Sequence, residues 1–399
     1  MATDQVLSGS APAGKSSLGA TEAAEPKRAQ ISRLPSLTGL RFLAALAVFA
    51  SHAFLPIPPL RLLADDRTEF RLYGWFGQAG GLGVSFFFVL SGFVLAWSAR
   101  DNDTTTGFWR RRFVKIYPAY VVAWVLAMVL FAGDYTSTRI AVANLFMVQV
   151  WVPDYFTNFS VDPPSWSLGV EAFFYLSFPL LLAVFRRIDP RHLKYWIIGA
   201  IAAVCATPAV AYAAFPKTPL VPSGQDLSVS AYWFSHVLPP VRMVDFALGI
   251  LVAIAVKHGR WRNIGMIPSF VLLAGGYWLT YHVPYLYGQR AAMIIPVALL
   301  IAAAATADIE GRFTLFRNRT MVWLGEISFA FYLLHYIALS WLRKQLGTEM
   351  YSNTEGIAML VGTAVGSVVL SWLLYRLVEA PLVRRFSRSR RAARAEADA

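Results

Sequence analysis

Residues 80–99 read GGLGVSFFFVLSGFVLAWSA, a run without one ionisable side chain. A helix of about twenty residues, at 1.5 Å per residue, reaches roughly 30 Å, the hydrocarbon thickness of a bilayer. Comparable runs occupy 37–57, 114–132, 166–185, 195–215, 238–256, 264–282, 291–308, 321–342 and 356–378, which predicts about ten spans. The rest of the chain agrees: 57% of its 399 residues are hydrophobic, only 15% are charged and mean hydropathy is +0.50. A soluble domain carries roughly 25% charged residues, so too few polar groups remain to clothe a soluble core. The expected fold class is all-α, a polytopic transmembrane helical bundle. A soluble Rossmann enzyme, a secreted disulfide scaffold and a disordered chain are excluded. A lone cysteine, Cys205, permits no intrachain disulfide and no thiolate metal site, so no metal is expected.

One run is too short to assign by length. Residues 140–152 are apolar but end at Pro153 and Asp154, before a polar loop to Pro164. Loop charges decide its placement. Basic clusters fall at Arg110, Arg111, Arg112 and Lys115, at Arg186, Arg187, Arg191 and Lys194, at Lys257, Arg260 and Arg262, at Arg312, Arg317 and Arg319, and from Arg384 to Arg394. All lie on one side only if 140–152 does not span; the positive-inside rule makes that side cytoplasmic, with both termini. The run is therefore expected as a re-entrant or extracytoplasmic short helix. Arg61, Arg67 and Arg71 fall outside, accompanied by Asp65, Asp66 and Glu69. The net charge of +13 is thus read as loop charge against a lipid bilayer, not as a nucleic-acid surface. Residues 1–36 are expected to be a disordered cytoplasmic tail without a signal peptide, 37–383 the membrane domain, and 384–399 a basic cytoplasmic tail.

Ionisable side chains inside spans cost several kcal/mol unless paired or hydrated, so they are functional candidates by default. The first span, LTGLRFLAALAVFASHAF (37–54), carries Arg41 and His52. At 100° per residue these lie within about 20° of one face and about 16 Å apart. In PPSWSLGVEAFFYLSFPLLL (163–182), Ser167, Glu171 and Tyr175 fall at i, i+4 and i+8 and make one polar stripe. In FWRRRFVKIYPAY (108–120), Arg112 and Lys115 share a face where the third span meets the cytoplasm. There they suit a phosphorylated ligand arriving from inside, or they simply mark the cytoplasmic boundary. Arg242 and Asp245, at i and i+3, can neutralise each other. In LGEISFAFYLLHY (324–336), Ser328 and His335 share a face with Tyr332 beside them. Under this topology His52, Glu171 and His335 sit at similar depth.

At these residues the sequence resembles the acyltransferase 3 family of integral-membrane O-acyltransferases. The resemblance spans about residues 36–383. It rests on GLR with His52 eleven residues after the Arg, VSFFFVLSGFVLAWS (84–98), FWRRR…IYPAY, WSLGVE…FY and LGEISFAFYLLH, in that order. It implies transfer of an acyl group, commonly acetyl, from acyl-CoA to a hydroxyl of a sugar, glycan, lipid or metabolite. Acyl-CoA is then a co-substrate, and no permanently bound cofactor is expected. Carried over, His52 is the catalytic histidine, Arg41 its same-face partner, Arg112 and Lys115 the donor-side basic pair, and Glu171 the acid of the WSL block. Trp166, Ser167, Tyr175 and His335 are expected to face substrate. Two departures stand out. Thr38 replaces the usual Asp before GLR, and Lys115 replaces the second Arg of the basic pair, losing its bidentate fork and leaving Arg111 as a candidate to share phosphate binding. No hydrolase-like domain is expected after Pro381.

A hydroxyl is too weakly acidic to attack a thioester unaided, so a neutral imidazole within about 3 Å must take its proton. His52 is the best candidate. Glu171 either holds an imidazole in its useful tautomer or binds acceptor hydroxyls. High Ala and Arg usage and the FFFVLSGFVLAWS segment resemble actinobacterial macrolide-acylating members, with cell-surface polysaccharide as the close alternative acceptor. Two rivals of other classes remain: a transporter or flippase using Arg, His and Glu as a polar path, although no internal repeat supports it, and an inactive sensor.

Overall fold

The computed structural model describes residues 34–57, 60–100, 103–222 and 225–386. The expected N-terminal tail as far as residue 33, and the basic tail beyond 386, lie outside the described residues. Helices follow in the order α1 (Pro35–Ala53), α2 (Asp66–Phe76), α3 (Ala79–Ser98), α4 (Thr105–Leu130), α5 (Thr138–Leu145), α6 (Tyr155–Asn158), α7 (Trp166–Phe185), α8 (Leu193–Ala214), α9 (Val229–Tyr232), α10 (Pro239–Lys257), α11 (Met266–Leu279), α12 (Ala292–Ile309), α13 (Arg319–Leu346), α14 (Asn353–Leu374) and α15 (Ala380–Phe386). The described residues contain isolated β-bridges only. Among them, nine helical stretches are long and apolar enough to cross a membrane. The run expected at 264–282 forms α11, whose 14 residues reach about 21 Å. Every expected span thus meets a helix, and the protein is a multi-pass, all-α membrane bundle.

Helix ends are set locally. Pro35 opens α1, where its missing N–H would have no partner in any case. Thr104 and Asn318 cap α4 and α13 by accepting from Gly107 N and Met321 N, and Ser352 with Glu355 forms a capping box on α14. These contacts also orient the bundle. Ser36 donates from N and Oγ to the Asp308 carboxylate, at 2.8 and 2.7 Å, which docks the start of α1 against the 308–318 loop. Lys344 pairs with Asp134 at 2.7 Å, joining the ends of α4 and α13 at the opposite face. The basic clusters at 110–115, 257–262 and 312–319 therefore share one face, here called the basic face. Arg61, on the far face, is neutralised by Asp66 and lies 3.7 Å from Glu69. Residues 138–165 leave the far end of α4 and return to α7 as short helices and turns. They are held there by Tyr120 donating to the Asn144 carbonyl and by Trp233 donating to that of Val150.

At the centre, α1 packs between α3 and α13, and α3 lies along α10. Glycine allows the closest crossings. A Cβ at Gly92 would run into the Phe246 carbonyl, one at Gly249 into that of Val89, and one at Gly325 into that of Thr38. Lipid supplies little hydrophobic drive between helices, so close backbone approach at small residues does the joining. Three π-helical turns, Trp233–Val237, Tyr287–Ala291 and Tyr375–Glu379, rotate His236, Arg290 and Glu379 inward. The expected Arg242 and Asp245 pair is a triad. Asp245 accepts from Arg290 at 2.9 Å and lies 3.3 Å from Arg242, and all three are buried. Arg242 also lies over the Phe88 ring, 4.9 Å from its centroid.

Candidate active site

α1 and α13 cross at their glycines and carry two histidines toward each other. His52 Nδ1 lies 3.1 Å from His335 Nε2, with the rings stacked at 5.3 Å between centroids. On its other side, His335 Nδ1 faces the carbonyl oxygens of Tyr332 at 2.8 Å and Phe331 at 3.2 Å. A carbonyl only accepts, so His335 Nδ1 must carry the hydrogen, and a neutral His335 then presents a lone pair at Nε2. His52 Nδ1 must donate to that lone pair. The remaining nitrogen of His52, Nε2, is left as the basic one. His335 is wholly buried while His52 is half-buried, so the inner imidazole holds the outer one. Tyr336 closes edge-on over His52 at 5.2 Å.

Two spaces lie on either side of this pair along α13, reached through Tyr332 and Tyr336, with neither histidine in their lining. Toward the basic face, a cavity of about 130 Å³ is lined by Arg41, Arg112, Lys115, Glu171, Tyr175 and Tyr332 among apolar residues. On the far face, a vestibule of about 640 Å³ is lined by Phe131, Tyr135, Tyr336, Ser340 and Arg343, with Arg61, Asp134 and Lys344. Helical spacing links them. Tyr332 and Tyr336 lie one turn apart on α13, one at each space, with His335 between them.

Within the inner cavity Tyr175 donates to Glu171 and lies 3.3 Å from Ser91 Oγ. Glu171 makes no hydrogen bond to either imidazole among the described residues. Arg112 stacks over Phe108 and its Nε has no hydrogen-bond partner there. Lys115 feels the charges of Arg41, Arg112, Glu171 and Glu379. Glu379, buried with Oε2 unpartnered, is the acid that the sequence reading missed; its only signal was a carboxylate at the end of the last apolar run. Three cations, Arg41, Arg112 and Lys115, line the cavity with one carboxylate, Glu171, and even with Glu379, outside that lining, the cations are in excess.

Other expected residues lie elsewhere. Arg111 pairs with Asp103 and does not line the cavity. Trp166 is buried against His236, Phe88 and Phe159 and forms packing behind the site. Ser167, by contrast, does line the inner cavity; its Oγ meets the Tyr332 hydroxyl at 2.7 Å, and both reach the Pro164 carbonyl, tying the start of α7 to α13. Ser328 donates back to the Gly325 carbonyl.

A family model described as an acyltransferase domain matches residues 34–376. The acyltransferase MdmB of Streptomyces mycarofaciens is 40% identical over 92% of this chain and 96% of its own length. The peptidoglycan O-acetyltransferase OatA of Listeria monocytogenes is 24% identical over 88% of this chain and 56% of its own, and the putative peptidoglycan O-acetyltransferase YrhL of Bacillus subtilis is similar at 24% and 55%. The chain thus spans just over half the length of those two enzymes. No solved structure matches. With its membrane bundle and its paired histidines between two cavities, the chain belongs to the acyltransferase 3 family and is an integral-membrane O-acyltransferase.

Proposed function

We propose that the enzyme moves an acyl group, acetyl or another short chain, from acyl-CoA to a hydroxyl of a sugar, glycan or macrolide-type metabolite, with His52 as general base. The observation that carries this is the His52–His335 pair standing between a cationic cavity and a larger far-face vestibule. The donor enters at the basic face, which the positive-inside rule makes cytoplasmic along with both termini. Ligand sites typically measure about 300–1,000 Å³; at about 130 Å³ the inner cavity suits a thin pantetheine arm and not a nucleotide. Arg41, Arg112 and Lys115 offer charge to the donor phosphates at its mouth. As the acceptor oxygen bonds to the thioester carbonyl carbon, its proton passes to His52 Nε2. The tetrahedral adduct collapses, the C–S bond breaks, and the CoA thiolate recovers the proton from His52. Glu171, bonded to Tyr175, orders the donor side.

Sidedness tests this directly. In sealed inside-out vesicles, labelled acetyl-CoA added outside should be consumed and the labelled acceptor recovered in the lumen. Consumption only in right-side-out vesicles would overturn the arrangement.

A further inference from the structure

A slot of about 240 Å³ lies between α4 and α7, one side-chain layer from the inner cavity. Arg112, Ile116, Leu168, Glu171 and Tyr175 line both spaces and form the wall between them. Beyond that wall the slot is lined by Phe113 and Tyr117 of α4 and by Ala172 and Leu176 of α7. Polar groups of the shared wall turn toward the cavity: the Tyr175 hydroxyl, bonded to Glu171, lies 3.3 Å from Oγ of Ser91, which lines the cavity and not the slot. Trp109 Nε1 donates to the Tyr175 carbonyl at 3.0 Å and closes the end near the basic face. Met147 closes the other with an adaptable thioether, its backbone held at φ +58°, where few non-glycine residues sit. From Trp109 to Tyr117 the slot follows about 12 Å of helix at 1.5 Å per residue. Both helices belong to membrane spans, and Phe113 and Leu176 are 57% and 62% exposed, so the open edge of the slot faces lipid.

We propose that this slot takes the acyl chain of the donor, a straight chain longer than acetyl, and that Ala172 determines the length accepted. This rests on the acyl-transfer reading above and deepens it. With the pantetheine arm in the inner cavity, the thioester stands at the cavity's inner end, where Tyr332 lies beside His335. Ser167 and Tyr332 bond to each other and to the Pro164 carbonyl there, so that end offers a chain no apolar continuation. Leu168, the next residue, belongs to both spaces. Leu168, Ala172 and Leu176 fall at i, i+4 and i+8 and make one stripe along α7, over which a chain turns out of the cavity and runs through the slot. Ala172, midway, contributes only a methyl group and leaves the room the chain needs. A lipid tail fits the same walls, but the donor's chain is already fixed at the slot's inner end by its thioester.

The test uses the full-length protein in lipid vesicles, with labelled acetyl-CoA displaced by unlabelled acetyl-CoA, butyryl-CoA, hexanoyl-CoA or octanoyl-CoA. A fully buried methylene is worth roughly fourfold in affinity, so hexanoyl-CoA should bind at least tenfold more tightly than acetyl-CoA. Ala172→Phe fills the slot without touching the lining of the inner cavity. It should bring hexanoyl-CoA and octanoyl-CoA to within twofold of acetyl-CoA, and leave acetyl-CoA within twofold of its affinity for the parent. The vesicles are the same for both proteins, so partition of acyl-CoA into lipid cancels. Phe113→Ala, at the exposed edge, should weaken octanoyl-CoA several-fold and acetyl-CoA by less than twofold, and its unfolding temperature should match the parent's. Octanoyl-CoA with a photoreactive diazirine at its terminal carbon should crosslink the parent within the slot. The proposal is overturned if affinity does not depend on chain length, as when a lipid tail keeps the slot, or if both variants retain the parent's preference. If the parent binds no acyl-CoA at all, the donor reading beneath the proposal falls with it.

Discussion

His335 Nε2 accepts from His52 Nδ1 across 3.1 Å, while its own Nδ1 is held against the backbone carbonyls of Tyr332 and Phe331. The backbone of α13 therefore dictates the tautomer of a side chain on α1. His335→Phe removes the lone pair and lets His52 turn its basic nitrogen away. We expect kcat to fall by roughly 10²–10⁴, in the range between losing an orienting partner of a ligand histidine and losing that of a catalytic one. Donor KM should stay within about twofold, since His335 does not line the inner cavity. A steady-state comparison of the two parameters in vesicles checks this; an unchanged kcat would remove His335 from the base.

The cationic cavity predicts a donor-dependent defect. Arg112→Ala should raise the KM for acetyl-CoA about 10–100-fold, the effect of losing a hydrogen bond to a charged group. The same variant should be near-normal with acetyl-N-acetylcysteamine, a thioester without phosphates. Equal losses with both donors would show that Arg112 shapes the cavity without meeting phosphate.

Glycine crossings predict a packing defect with no chemical component. In Gly249→Ala the new methyl group meets the Val89 carbonyl, and α3 and α10 must separate. Overpacking of this kind costs about 1–3 kcal/mol, read as a lower unfolding temperature in detergent. Gly199→Ala, with open space at its Cβ, is the matched control.

The buried Arg242–Asp245–Arg290 triad predicts the largest loss. Asp245→Asn leaves two guanidinium groups in an apolar interior without their carboxylate, at a cost of about 3–5 kcal/mol. Little folded protein should survive extraction; a variant with a normal unfolding profile would mean the triad is hydrated.

Much of the bundle was legible because membrane spans announce themselves one at a time. Run length places the helices, loop charge keeps 140–152 from crossing, and a 100° period puts Arg41 and His52 on one face of α1. Relations between helices are not local. Depth alone relates Glu171 and His335 to His52 in the sequence, which offers Glu171 as the residue to orient an imidazole and His335 as one facing substrate; the crossing of α1 and α13 brings His335 to His52 and leaves Glu171 with Tyr175. Arg290 escaped notice because a π-helical turn rotates it toward Asp245, which an α-helical wheel does not anticipate. Trp166 reads as a site residue only from its place beside Ser167, yet it packs behind the site against His236.

The most direct test of the central claim is the rate of labelled acetyl transfer by His52→Ala, purified in lipid and shown to unfold at the parent temperature. Transfer should fall to the uncatalysed background while acetyl-CoA still binds, because the base is gone and the donor cavity is intact. Transfer within about tenfold of the parent rate, a smaller loss than the roughly 10²–10⁴-fold that general-base catalysis supplies, would contradict the account.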